Sequence, residues 1–142
     1  MATGKAIAWQ APVRVVHSAG ANAAIADTFI FTAIDADYEV VSVVEVHDAA
    51  GTDGSAVTLD LLRCASGTTI ASGTSVLGST FNLKSTADTP VAKEISDGGL
   101  AASPTRIVLE GESLGLNFAG TLTALTGIAV TVTLKPVTRP SW

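Results

Sequence analysis

The residues best equipped for chemistry are few and scattered. Asp35, Asp37 and Glu39 alternate along the chain. In an extended segment that spacing sets three carboxylates on one side, the oxygen-rich set that hard cations such as calcium prefer. The EF-hand pattern is not met, because its sixth position falls on Val40 rather than glycine, so a solvated acidic loop is the preferred reading over a cation site. His17 and His47 are the two histidines, thirty residues apart, with no HExxH or CxxC spacing around them. They are expected as surface or interface residues rather than metal ligands or bases. Cys64 follows Leu61, Leu62 and Arg63. A nucleophilic thiolate needs a base or a cationic setting, and Arg63 projects to the opposite face of a regular strand, so Cys64 is expected to be a small buried thiol. Glu45 or Glu110 with Asp60 would supply the two carboxylates of a glycosidase. Sugar sites favour exposed aromatics, however, and the chain has only two Trp, one Tyr and four Phe. Gly51, Gly54, Gly98 and Gly99 precede no helical pattern, so they read as turn glycines and not as a phosphate loop. No catalytic residue, metal ligand or cofactor site emerges, and the chain reads as a non-enzyme.

Binding is the better prospect, and the charge pattern says where. All thirteen acids lie between Asp27 and Glu112. They face only Arg63, Lys84, Lys93 and Arg106, so that stretch is −9 of the net −5. The ends carry Lys5 and Arg14 on one side, Lys135 and Arg139 on the other, and no acid at all. Trp9 and Trp142 sit in these basic, proline-containing ends, and Trp and Arg are favoured interface anchors. Trp9, Arg14, Lys135, Arg139 and Trp142 are therefore the candidate partner-binding residues, with 1–12 and 136–142 read as extended arms.

Those residues must be positioned by strands, because the dominant period is two. Ile128, Val130, Val132 and Leu134 alternate with Ala129, Thr131, Thr133 and Lys135, and Leu114, Leu116 and Phe118 alternate with Gly115 and Asn117. Val57, Leu59 and Leu61 do the same. Tyr38–His47 is nearly continuous in valine, as suits a central strand covered on both faces. Weaker strands are predicted at Val13–His17, Thr28–Ile34, Ser79–Leu83, Val91–Ile95 and Thr105–Glu110, and Ala50–Ser55 reads as a hairpin loop with glycines at positive φ. Helix signals are poor: Ala19–Ala26 amounts to one turn at most. The prediction is a single all-β domain, an antiparallel β-sandwich or jelly-roll-like barrel of about eight or nine short strands.

Hydrophobic residues make up 47% of the chain and charged residues 15%, against about 25% charged in a typical soluble domain. A small domain this apolar hides surface against partners, so a homo-oligomer or larger assembly is expected. A net charge of −5 argues against general nucleic-acid binding. No apolar run is long enough to cross a membrane, and the first residues lack a signal-peptide core.

Four segments taken together resemble a known group. They are Glu45-Val46-His47 with Gly51-Thr52-Asp53-Gly54-Ser55-Ala56-Val57-Thr58-Leu59-Asp60, then Gly73–Lys84, then Leu114–Thr123, then the closing strand Ile128–Pro136. Over roughly residues 28–137 the pattern is similar to small β-rich proteins from the head-gene region of tailed bacteriophages, of the capsid decoration (cement, or head-stabilisation) type. The resemblance implies a structural virion protein on the capsid surface, made in the host cytoplasm. It also implies the major capsid protein and further copies of itself as partners, a trimer being favoured. No catalytic residue carries over, and the attachment surface is not inherited from it. A phage tail, neck or fibre component, a carbohydrate-binding β-sandwich module and a small hydrolase are the competing classes.

Overall fold

A computed structural model describes residues 11–138. Ten strands run β1 (Val13–Ala19), β2 (Thr28–Thr32), β3 (Asp37–Val46), β4 (Thr58–Cys64), β5 (Thr74–Ser75), β6 (Phe81–Asn82), β7 (Val91–Glu94), β8 (Ile107–Val108), β9 (Ser113–Ala119) and β10 (Ile128–Val137). They form two antiparallel five-stranded sheets, so the fold is the predicted β-sandwich. Sheet A is ordered β1-β10-β3-β7, with β8 also on β3; sheet B is ordered β2-β9-β4-β5, with β6 also on β4. One-turn 3-10 segments at Asn22–Ala24 and Ile70–Ser72 are the only helical pieces among the described residues.

The period-two segments fold as expected. Ile128, Val130, Val132 and Leu134 of β10 are buried between the sheets, while Ala129, Thr131 and Thr133 face outward and are half-buried. Leu59 and Leu61 of β4 and Leu114 and Leu116 of β9 meet them from sheet B in one continuous core. Apolar burial of this kind contributes the main favourable free energy of the fold.

Several expectations give way to tertiary structure. Ala50–Ser55 is not a hairpin loop: β3 lies in sheet A and β4 in sheet B, so residues 47–57 cross between sheets. Gly51 and Gly54 are not at positive φ. Gly51 is needed for close approach instead, since a Cβ there would stand 3.2 Å from Val57. Gly120 and Gly127, which bracket the crossing from β9 to β10, do have positive φ, and Cβ atoms there would meet Ala56 O at 2.2 Å and Asp48 Cβ at 2.3 Å. The valine run of β3 is central but not doubly covered. Thr133 pairs with Ser42 and Leu134 with Val40, which leaves Val41 as a bulge. The bulge switches phase, so Val40 and Val43 both point inward, and Ser42, Val44 and Val46 stay half-buried outside. Finally, the C-terminal arm cannot begin at residue 136. Pro136 and Val137 belong to β10, opposite Tyr38 and Asp37, and Pro136 is buried.

Candidate binding face

The outer face of sheet A is where two of the five anchor residues meet. Arg14 on β1 lies opposite Thr133 of β10, and Lys135 is the next outward residue along β10. Such diagonal neighbours are about 7–8 Å apart, and both side chains are exposed. Glu39, opposite Lys135, is engaged elsewhere, accepting a hydrogen bond from Arg106 Nε at 2.8 Å. The two cations therefore form a small positive corner on one end of this face. Trp9, Arg139 and Trp142 lie outside the described residues.

Beyond that corner the face carries mostly small side chains, and one exposed carboxylate, Glu94, ends the row Arg14–Thr133–Ser42–Glu94. The strand registers align Val16 (β1), Thr131 (β10), Val44 (β3) and Ala92 (β7) in one row across the sheet. Ser18, Ala129 and Val46 form the next row. Val16 is 66% exposed. No side chain here is built to activate a bond. Flat rows of Val, Ala and Thr on a rigid sheet suit contact with another protein surface.

The candidate chemical residues are dispersed. Asp35 Oδ1 accepts from Tyr38 Oη at 2.7 Å, Asp37 is buried and accepts from the Glu110 amide at 2.8 Å, and Glu39 holds Arg106. The three carboxylates are thus divided among three structural roles, with Asp37 buried rather than in the solvated loop expected, and no group of three or more His, Cys, Asp or Glu that could hold a metal occurs among the described residues. Cys64 is buried with Sγ 3.8 Å from Leu62 O, and burial, with Glu112 nearby, pushes its thiol pKa up. Glu45 and Asp60 occupy different sheets, Asp60 accepting from Ser75 Oγ at 2.5 Å. Tyr38 and Phe31 stack edge-to-face at 5.2 Å against the core rather than making a platform for sugar.

His47 is the clear surprise. It is fully buried, not a surface or interface residue, and its Nδ1 lies 2.7 Å from Glu45 Oε1, also fully buried. Nε2 donates to the Ser85 carbonyl at 3.1 Å. Burial pushes the Glu45 pKa up and the bond to His47 pulls it partly back. The bond between them gives each buried group a polar partner where water is excluded. The dyad has the look of a catalytic His–carboxylate pair, but Ser85 offers its carbonyl to the ring, and neither member reaches solvent. Its role is to tie the 83–90 loop to β3, with Asp88 N donating to His47 O at 2.8 Å. The spacing of Glu45 and His47, two apart on one strand face, was the available signal. It was obscured because the Val41 bulge decides which face that is.

No protein-family model matches the sequence, and no curated protein matches it. Among solved structures, the fold is similar to a chain of the cyanophage Pam1 capsid asymmetric unit, at 16% identity, covering 90% of this chain and 86% of that one, with a TM-score of 0.52. A chain of Bacillus endospore appendages, described as a novel family of disulfide-linked pili, aligns over 91% of this chain and 88% of that one at 16% identity, but its TM-score of 0.39 carries no argument. The chain is thus an all-β sandwich whose fold recurs in a phage capsid.

Proposed function

We propose that this protein is a structural virion component that binds the outside of a phage capsid as a symmetric homo-oligomer and stabilises the shell. The observation that carries the reading is the outer face of sheet A. Its rows of Val, Thr, Ser and Ala carry Arg14 and Lys135 at one corner, with Glu39 and Glu94 on the strands across from them. The fold likeness to a chain of a cyanophage capsid asymmetric unit supports it. The mechanism is linkage: a protein that binds only the assembled shell lowers the free energy of that state by mass action. Flat apolar rows supply buried area, and the basic corner steers the body, whose overall charge is negative, onto an acidic shell surface. Residues 1–10 and 139–142, bearing Lys5, Trp9, Arg139 and Trp142, extend the basic, apolar character of this attachment.

The test is the copy number in purified virus particles of its source, relative to the major capsid protein. A simple stoichiometric fraction supports decoration of the shell. A handful of copies moves the protein to the tail, neck or fibre, and absence from the particle rejects a virion role.

A further inference from the structure

Of the four open sheet edges, three are blunted and one is not. On sheet A, the side beyond β3 is broken into β7 and β8, four and two residues long. On sheet B, β2 carries a bulge between Phe29 and Phe31, and the opposite side consists of the two-residue strands β5 and β6. Short strands and bulges are how proteins keep an edge from pairing with another chain. β1 has neither. Its seven residues run in unbroken register with β10 from Val13↔Leu134 to Ala19↔Ile128. It contains no proline or glycine and one ionic charge, Arg14. No side-chain or loop hydrogen bond among the described residues reaches it. Val13 and Val16 are both exposed.

We propose that β1 is a homotypic interface at which a second copy of this chain adds its own β1, antiparallel, about a two-fold axis through Val16. The strand's sequence is self-complementary in that register. It is the one symmetric register that pairs all seven residues, and it sets Val16 against Val16, Val15 against His17, Arg14 against Ser18 and Val13 against Ala19. The two Arg14 side chains stand four positions apart, about 13–14 Å along the strand, so no like charges face each other. Joining two copies makes one continuous sheet and doubles the Ala92–Val44–Thr131–Val16 row into a single flat stripe. This gives the oligomer of the proposed function a two-fold contact in place of the three-fold one the sequence resemblance implies. It rests on that reading only for the expectation of an oligomer, and the experiment uses purified protein without capsids, so either idea can fail alone.

Light scattering on the full chain is expected to give twice the 14.3 kDa protomer mass. Val16→Lys, which sets two ammonium groups face to face, is expected to weaken the dimer tenfold or more, while Ala92→Lys at the far edge leaves it intact. Directly opposed residues have Cβ atoms about 4.5–5.5 Å apart, so Val16→Cys is expected to form a disulfide-linked dimer under mild oxidation and Ala92→Cys is not. The cross-link decides the matter if Val16→Lys does not fold. A monomer at high concentration overturns the proposal, including one whose β1 amides are protected from exchange because residues 1–10 cover the edge. So does a trimer, or a dimer indifferent to both Val16 substitutions.

Discussion

The outer faces of the two sheets treat their apolar residues in opposite ways. On sheet B, Leu62 and Cys64 point away from the shared core, yet both are buried. The chain roofs them itself: residues 65–73 fold back, Ile70 sits against Gly115, and Gly73 lies over Cys64 and Leu62. On sheet A, Val16, Val44 and Val46 also point outward, and no segment among the described residues covers them fully. Nine residues of loop roof one face, while the described residues leave Val16 exposed and Val44 and Val46 only half-buried on the other. On the proposed function, the difference separates apolar surface used for folding from apolar surface offered to a partner.

If that division is right, substitutions on the two faces diverge. The largest loss of stability is expected from Leu62→Ala, about 3 kcal/mol for emptying a buried site under the roof. Chemical denaturation measures it, and a value near zero would mean the roof is loosely held. Gly115→Ala comes next at roughly 2 kcal/mol, because its Cβ would stand 2.8 Å from Ile70 Cγ1 and must lift the loop. Greater access of Cys64 to thiol reagents is the companion readout.

Beneath sheet A, the Glu45–His47 pair offers a pH test. The folded pKa of Glu45 is raised above its ordinary 4.5, chiefly by burial. The folded state then holds the proton more tightly than the unfolded chain. That contribution is fully present below the unfolded pKa and is lost as pH rises through the folded one. Glu45→Gln is expected to flatten this decline in melting temperature with pH; an unchanged profile would mean the carboxyl is ionised when folded. The smallest effect on stability, within about 0.5 kcal/mol, is expected from Arg14→Glu combined with Lys135→Glu. The same pair should abolish attachment to capsids in a sedimentation assay, and wild-type attachment should weaken with salt. Retained binding would move the contact off sheet A.

Much of the fold was legible because alternation is a local property. β9 and β10 were marked by Leu114, Leu116, Ile128, Val130, Val132 and Leu134, and the structure buries all six. Cys64 as a quiet thiol was readable for the same reason. The two-residue strand β5 was missed, since two residues hold no period. Arg14 and Lys135 were singled out by charge, but their placement on one face with Val16, Val44 and Ala92 was not legible, because nothing local places β1, β10, β3 and β7 side by side. His47 was misplaced because one extra residue, Val41, inverts the faces beyond it.

The sequence by itself determined where the longer strands lie, which side of each regular strand is apolar, and that the charge divides into an acidic middle and basic ends. These depend on neighbours one to four positions away. Only the tertiary structure decided the partners. β1 pairs with β10 and β2 with β9 across most of the chain length, and six crossings, those through 47–57 and 120–127 among them, carry successive strands into opposite sheets. Such pairings are selected by the fit of whole faces against one core and by close approaches at Gly51, Gly120 and Gly127. No local pattern encodes them, and they alone make Arg14 and Lys135 neighbours and leave β1 as the edge strand of sheet A among the described residues.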